Sequence, residues 1–472
     1  MVFGLAERCE DDGPALVDPA AGLELSHSAL NRAVQAAAAD LSAPQKHLVM
    51  IALAPTVERV VRYLAAHLAG HAVMPVPPDL PLPALARLLD LYTPETVIGL
   101  ALPPECGYRR RDDVTWGRSE PVAAARSIHP DLALVLSTSG STGNPKAARL
   151  SRNAISINAG QIIRALAITA KERAPTSLPL AYTYGLSVLH SHLAAGAAVI
   201  LTMESVASRD LWRIMAEGGA TSFAGVPASY QMLRRLDLDA LAPAGLATLT
   251  QAGGALAPEL IRHFQAFARR RGGQMVVMYG QTEATARIAV LPPAELEAHF
   301  GAAGRAVPGG EIAIVDQAGR PVASGQSGRI VYRGANVMMG YAQTRADLAR
   351  GDDLAGLLDT GDLGRLDSSG MLWITGRDSR FAKLDGRRLS LDEIEQAAQG
   401  FGPAAVIETA SGLAVAVVTT APPAPALRRE FAARFGLHSS QIGWHEVAEL
   451  PLGDSGKIDY RALADRLGGK AP

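Results

Sequence analysis

Leu134–Arg149 reads LVLSTSGSTGNPKAAR, and the rest of the chain is organised around it. An apolar run, Leu132 to Leu136, ends in a tract of Ser, Thr and Gly that carries a single lysine, Lys146. The pattern predicts a buried strand that hands a polar loop to a strand end, a common construction for a phosphate site. Gly140 and Gly143 let the backbone turn sharply and come close to an anion. The hydroxyls of Ser137, Thr138, Ser139, Ser141 and Thr142 and the N–H groups around them can donate to phosphate oxygens, and Lys146 adds a point charge on a long stem. A Walker A loop needs GxxxxGK followed by Ser or Thr. Here Asn144 and Pro145 separate Gly143 from Lys146, and Ala147 follows the lysine, so that rival fails. Read alone, a Ser/Gly-rich surface linker is the competing description.

Outward from this loop the pattern alternates. On the N-terminal side, residues 24–40 predict a helix, Leu48–Leu53 a buried strand, Val57–Leu68 a helix and Val73–Val76 a short strand before the proline-rich PVPPDLPLP. Val97–Leu100 is a further strand, and 103–130 reads as irregular. On the C-terminal side, Ser151–Ala167 predicts a helix and Pro175–Leu180 a strand. PLAYTYGLSVLHSHLAAGAAVIL then reads as a turn, a helix and a strand at Ala197–Leu201. Helices at 209–217 and 228–236 flank the strand-like ATSFAGVP. A strand at Leu246–Gln251 ends in Ala252, Gly253 and Gly254, where backbone can approach a planar ligand. The helix Pro258–Arg270 opens on proline, and the strand Met275–Tyr279 delivers GQTEATA.

From residue 301 the apolar period shortens to about two, and EIAIVD, SGRIVYRG and MLWITGR read as strands. Leu389–Ala398 and Arg428–Phe435 predict helices, and Leu413–Val418 a strand. The expected fold is a large α/β N-terminal domain with a β-rich subdomain, followed by a small α+β C-terminal domain joined near Gly376–Arg380.

Composition narrows the function classes. The 472 residues suffice for about three domain-sized units. A content of 48% hydrophobic and 19% charged residues describes a globular chain and not a disordered one. A net charge of -1 gives no support to nucleic acid or an anionic membrane as a bulk partner. No apolar stretch approaches the length of a membrane span, and the N-terminus meets acidic residues before any signal-like core forms. Cys9 and Cys106 have neither metal spacing nor a disulfide framework, so a reducing cytoplasm is the default. The basic runs Arg109–Arg111 and Arg269–Arg271 read as solvated surface. His190, His192 and His263 lack an acid and nucleophile pattern, and no GxSxG elbow occurs.

Polar residues cluster instead at strand ends. In Tyr279-Gly280-Gln281-Thr282-Glu283, Glu283 can hold a magnesium ion, which prefers oxygen ligands, and Tyr279 can lie against a base. In Leu358-Asp359-Thr360-Gly361-Asp362-Leu363, Asp362 can accept from ribose hydroxyls, and Arg377, one hairpin later, can donate in a fork. Taken alone, Asp-Gly and Gly-Asp pairs are more often turns. Lys457, in GDSGKID, can reach negative charge gathering on an α-phosphate and an attacking carboxylate; without context it reads as a solvated surface lysine.

The ordered set STSGSTGNPK, PLAYTYG, YGQTEA, SGRIVYRGANVMMGY, DTGDLGRLD, GRDSRFAKLDGRR and PLGDSGKID resembles the adenylate-forming superfamily of acyl- and aryl-CoA synthetases, nonribosomal peptide adenylation domains and luciferases. The resemblance covers nearly the whole chain from about residue 25. It implies a core over 1–376 that binds ATP and acid, a hinge at 377–380 and a mobile lid over 381–472. Residues 137–146 would hold the β- and γ-phosphates of ATP, and Ala252–Gly254 with Tyr279 would border adenine. Thr282 would touch the α-phosphate, Glu283 would ligate Mg2+, Asp362 and Arg377 would bind ribose, and Lys457 would bridge acid and α-phosphate. Gly386 would lie by the tunnel through which a pantetheine thiol arrives. The implied partners are a small carboxylic acid and the thiol of CoA or of an acyl- or aryl-carrier-protein phosphopantetheine. A homodimer is left open, as are transfer to an amine and a catalytically inactive adenylate-binding protein.

Two departures bear on these implications. The family usually has aspartate two positions after the ribose arginine, whereas this chain has Asp378 next and Ser379 at that second position; Lys383, Gly386 and Arg388 keep the adjoining pattern. Peptide-type relatives carry an aspartate in the segment equivalent to PLAYTYG that pairs with the substrate amine. Here residues 181–184 are Ala, Tyr, Thr and Tyr, which disfavours an α-amino acid and points to an aryl or acyl acid. Tyr182, Tyr184, Phe223 and Val226 are the candidate pocket wall, with core packing as the alternative role.

Overall fold

Leu48–Ala52 (LVMIA) and Ala72–Val76 (AVMPV) contain no polar residue, and such strands belong in the middle of a sheet covered on both faces. The computed structural model describes residues 8–103, 106–120, 127–137, 146–377, 380–384, 387–409, 412–419, 423–453 and 457–470, and it places both strands there. They pair in parallel, with Leu132–Ser137 parallel on one side and Thr96–Ile98 on the other. Antiparallel strands complete both flanks. The order is Tyr341–Ala342, Ala147–Ser151, Leu132–Ser137, Ala72–Val76, Leu48–Ala52, Thr96–Ile98, Thr115–Arg118, Tyr108–Arg110. Side-chain alternation divides this sheet between two cores: Val49, Ile51, Val73 and Leu134 face one, and Leu48, Met50, Met74 and Val135 the other.

A second sheet has Ser222–Gly225, Thr248–Gln251 and Gln274–Tyr279 in parallel, with Ser222 opposite Thr248 and Thr248 opposite Gln274. Ala289–Leu291 and Arg305–Ala306 extend it antiparallel. Because the register is unshifted, Val226, Ala252–Gly254 and Gly280–Glu283 all leave from the same edge, the carboxyl ends where α/β sheets bind ligands. A smaller sheet orders Arg173–Pro175, Ala198–Ile200, Pro14–Asp18 and Leu23–Ser26. The expected β-rich part is an antiparallel sheet of Glu311–Val315, Gly328–Arg333, Leu357–Leu366 and Leu372–Arg377. In the small C-terminal domain, Ile442–Val447, Gly412–Val418, Ala404–Thr409 and Gly469–Lys470 form a sheet. The helices Leu391–Ala398 and Tyr460–Leu467 contribute to its two cores.

Several expected elements change. The N-terminal helix begins at His27, because Leu23–Ser26 is a strand and Ser26 caps the helix by accepting from Ala29 N. The region 103–130 contains the edge hairpin Tyr108–Arg110/Thr115–Arg118, whose turn is set by Asp112 Oδ1 accepting from Val114 N and Thr115 N. Leu82–Tyr92 is a helix; its proline lies in the first turn, where no helical N–H is required. The strand expected at Pro175–Leu180 is Arg173–Pro175, and Thr176 instead donates its hydroxyl to the Thr202 carbonyl. Leu357–Leu366 is one ten-residue strand, although its Gly361-Asp362 pair suggests a turn. Arg271 is not solvated like Arg269 and Arg270, since its guanidinium donates to the Leu246 carbonyl. Among the described residues no helix is long and apolar enough to cross a membrane.

Candidate active site

The opening loop is the connection of a hairpin. Leu132–Ser137 pairs antiparallel with Ala147–Ser151, and Ser137 lies opposite Ala147. Ser137 is therefore the last strand residue, and it is exposed where Leu132–Leu136 are buried. Thr138, Ser139, Gly140, Ser141, Thr142 and Gly143 lie outside the described residues, as do Asp378, Ser379 and Gly386. Lys146 re-enters at the base of the hairpin, with Nζ 5.7 Å from the centroid of the Tyr341 ring.

Tyr341 links this lysine to the second sheet. Its hydroxyl donates to Glu283 Oε1 at 2.7 Å. Burial, reinforced by the Glu283 carboxylate, holds the phenol well above its ordinary range, so it stays a donor. Glu283 sits in a short 3-10 turn, Thr282–Ala284, at the end of Gln274–Tyr279, and its carbonyl accepts from Met338 N at 2.8 Å. Thr282 Oγ1 is 2.6 Å from Thr183 Oγ1, which ties this turn to the start of the helix Thr183–Ala195. Gly280 makes the turn feasible: a Cβ there would stand 1.8 Å from the Ala286 carbonyl oxygen.

The third part is Tyr279, Asp362 and Arg377. Asp362 lies directly opposite Arg377 across the antiparallel pair, so their side chains share one face. Asp362 Oδ1 accepts from Arg377 Nε at 3.0 Å and Oδ2 from the Tyr279 hydroxyl at 2.5 Å. Burial pushes the Asp362 carboxyl up, against the pull of Arg377 and Tyr279. Each carboxylate oxygen has a second lone pair, so the arrangement can still accept from a diol. Gly253 has φ +86°, a conformation suited to glycine, and a Cβ there would lie 3.0 Å from the Tyr182 hydroxyl. Ala252–Gly254 thus adjoins Tyr182.

Lys457 reaches the same place from the C-terminal domain. Its Nζ is 5.8 Å from the centroid of the Tyr182 ring. Burial and the Arg377 charge lower its pKa, while Glu283 and Asp362 pull it back up. Lys146, Thr282, Glu283, Tyr279, Asp362, Arg377, Ala252–Gly254 and Lys457 are therefore brought together through Tyr341, Tyr182 and the Asp362 network.

The candidate pocket wall divides. Tyr182, Tyr184 and Val226 belong to one apolar cluster, and the Tyr184 hydroxyl is 2.8 Å from Thr250 Oγ1. Phe223 does not join them, because strand alternation turns it into the opposite core. There it stacks on Trp212 and meets Tyr230 edge-on, with ring centroids 6.4 Å away in both cases. His190 and His192 are buried helix residues held neutral by desolvation, at about 3 and about 4. Sequence reasoning missed Tyr341 as a site residue, and it missed Arg287, whose Cζ lies 4.1 Å from the centroid of the Tyr184 ring. Tyr341 ends the quoted GANVMMGY, and Arg287 interrupts the apolar run after YGQTE.

The donor set suits a magnesium ion carried on phosphate. Among the described residues no group of three or more His, Cys, Asp or Glu side chains forms a metal cage, and no donor reaches Glu283 Oε2. One available carboxylate oxygen beside a lysine-bearing hairpin matches a cation that keeps its waters and takes its remaining ligands from phosphate.

The family profile described as AMP-binding enzyme matches residues 5–342. The chain belongs to that family. It is 32% identical over 316 residues to an indoleacetate–CoA ligase of Aromatoleum aromaticum, covering 65% of this chain and 59% of that protein. It is 31% identical over 344 residues to a sulfoacetate–CoA ligase of Cupriavidus necator, covering 70% and 66%. The chain thus spans less than two thirds of the length of either relative. In fold it is similar to the amide bond synthetase McbA from Marinactinospora thermotolerans, with a TM-score of 0.79, 21% identity and coverage of 99% and 100%.

Proposed function

We propose that this chain uses ATP to activate a small carboxylic acid, aryl or acyl, and passes the acyl group to the thiol of CoA or of a carrier-protein phosphopantetheine. The observation that carries this reading is the arrival of Lys457 over Tyr182, within electrostatic reach of Glu283, Asp362 and Arg377. Residues far apart in the sequence meet there, and the charged ones, Glu283, Asp362, Arg377 and Lys457, belong to no apolar core cluster. The names of the curated relatives, an indoleacetate–CoA ligase and a sulfoacetate–CoA ligase, support acid activation and thioester formation.

In the first half-reaction a carboxylate oxygen attacks the α-phosphorus, the bond to the β-phosphate oxygen breaks, and pyrophosphate leaves. The acid is already ionised near neutral pH, so little acid–base help is required. Positioning and charge neutralisation supply the catalysis. Residues 137–146 and Lys146 hold the outer phosphates, Thr282 the α-phosphate, Tyr279 and Ala252–Gly254 the adenine, and Asp362 with Arg377 the ribose. Glu283 holds Mg2+, whose contribution is to neutralise triphosphate charge. Lys457 bridges the carboxylate and the α-phosphate. In the second half-reaction a thiol sulfur attacks the acyl carbon, the bond to AMP breaks, and the thiol proton passes to solvent. We further assign 1–376 as the core, 377–380 as the hinge and 381–472 as the lid, with Gly386 beside the thiol's path.

The test is acid-dependent ATP–pyrophosphate exchange across benzoates, arylacetates, short and medium acyl acids and amino acids, followed by AMP release with CoA, pantetheine or amines. Exchange with at least one acid, lowered about 100-fold or more in Lys457→Ala, is expected. ATP binding with no exchange across the panel would show an inactive adenylate-binding protein. AMP release with amines but not thiols would redirect the second step.

A further inference from the structure

Among the described residues no carboxylate pairs with the cation of Arg287. It is 3% exposed and leads into the buried strand Ala289–Leu291. Its backbone is fixed on both sides: N donates to Asn158 Oδ1 at 3.3 Å, and its carbonyl accepts from Asn158 Nδ2 at 3.2 Å and Asn336 Nδ2 at 3.0 Å. The side chain is poorly compensated. Nε donates to Met278 Sδ at 3.2 Å, Nη1 donates to the adjacent Ala286 carbonyl at 3.3 Å, and Cζ lies 4.1 Å from the centroid of the Tyr184 ring. Among the described residues no carboxylate stands within 4.0 Å of the guanidinium, and the Tyr184 phenol is its remaining polar neighbour.

A thioether, one carbonyl and a ring face are weak replacements for water around a guanidinium, and a buried charge normally finds an opposite one. The other large buried guanidinium groups here do so: Arg149 meets Asp353, Arg345 meets Glu95, and Arg380 meets Glu395. The position of Arg287 indicates what it serves. Its charge acts on both Tyr182 and Tyr184, and Tyr182 is the ring over which Lys457 lies. One tyrosine pair therefore has a cation from the lid at one side and an unpaired buried cation at another.

We infer that Arg287 is a specificity-determining residue that pairs with a second acidic group on the substrate, so that the preferred acids are small dianions. One carboxylate is activated at Lys457, and the other anionic group is held by Arg287. This rests on the acid-activation reading given above. The same charge repels the ammonium of an α-amino acid, a second reason, beside the missing aspartate in residues 181–184, for such acids to be excluded.

The experiment compares matched pairs on the full chain: malonate, succinate, glutarate, phthalate and isophthalate, each against its monomethyl ester, in ATP–pyrophosphate exchange. For at least one pair kcat/KM for the diacid is expected to exceed that for the ester by about tenfold or more. In Arg287→Met that preference falls to within about twofold, chiefly through KM, and Arg287→Lys restores part of it. Because the guanidinium has no protein anion to lose, Arg287→Met is expected to melt no lower than wild type, whereas a purely structural arginine would leave it destabilised with its selectivity intact. If benzoate, indoleacetate or hexanoate drives exchange and every diacid trails its ester, the assignment of Arg287 is overturned while acid activation stands. An Arg287→Met enzyme that keeps the diacid preference overturns it as well. If no acid of either series supports exchange, acid activation itself fails and the inference falls with it. Should the variant not fold, the wild-type pairs decide.

Discussion

In the proposed mechanism Lys457 is the residue whose protonation matters most. Desolvation and Arg377 lower its pKa, with Glu283 and Asp362 opposing. Under the proposed mechanism only the ammonium form neutralises phosphate charge, so activity is expected below this pKa and lost as pH rises through it. The alkaline limb of kcat/KM for exchange, which reports on the free enzyme, is expected to fall at a pH below the ordinary lysine value of about 10.4. Residual exchange by Lys457→Ala should lack that limb; an unchanged limb in the variant would assign the titration elsewhere. Tyr341 makes a smaller and different contribution. Tyr341→Phe keeps the ring beside Lys146 but removes the donor to Glu283 Oε1. The expected loss is about 1 kcal/mol, seen as a raised half-saturating Mg2+ concentration with the KM for acid little changed. At this scale the sequence reveals residues whose type is costly without a function, such as Glu283 just past a strand end and Asp362 buried within a strand. It conceals Tyr341 and Arg287, because an aromatic after MMG and an arginine in an apolar run are each ordinary until the fold shows what they face.

At the scale of elements, legibility followed the hydrophobic pattern. Val57–Leu68, Arg209–Glu217 and Pro258–Arg270 are read to the residue because start signals, a Thr or Ser cap in the first two and proline in the third, agree with the apolar stripes. Leu357–Leu366 is hidden because its Asp and Gly residues signal turns, yet Gly328–Arg333 and Leu372–Arg377 pair with it on either side and override that local preference. The hairpin Tyr108–Arg110/Thr115–Arg118 is too short and too basic to announce itself. The Gly280 turn carries a prediction of its own. Its Cβ would collide with a backbone oxygen, that of Ala286, which no side-chain rotation can relieve. Gly280→Ala is expected to cost about 1–3 kcal/mol of stability and to move Thr282 and Glu283, so that exchange falls further than the folded fraction does. Chemical denaturation alongside exchange measures both, and a variant equal to wild type in each would remove this turn from the positioning of the site.

The whole molecule holds separate cores, and two buried arginine networks bear on the proposed division, one within the core and one tying the last hinge residue, Arg380, to the lid. Arg149, 0% exposed, meets Asp353 and donates to the carbonyls of Met339, Arg350 and Gly351, joining the large sheet to the segment that follows Tyr341–Ala342. Arg380 meets Asp392 and Glu395, donates to the Val406 carbonyl and lies over the ring of Tyr460, whose hydroxyl donates to Glu395. Removing one partner of such a pair leaves a buried charge uncompensated and costs about 3–5 kcal/mol. If 1–376 and 381–472 are independent cooperative units, Asp353→Ala should lower the melting of the core alone and Glu395→Ala that of the lid alone. Scanning calorimetry gives the number of transitions, and limited proteolysis during heating tells which half opens first. A single transition shifted by both variants would show one cooperative unit and would remove the proposed division at 377–380. Glu395→Ala also lowers exchange under the proposed mechanism, because the helix that begins just after Lys457 is fastened to Arg380 through Tyr460. Asp353→Ala, far from Lys457 in the chain and outside the gathered site residues, should leave the exchange rate of the folded fraction close to wild type.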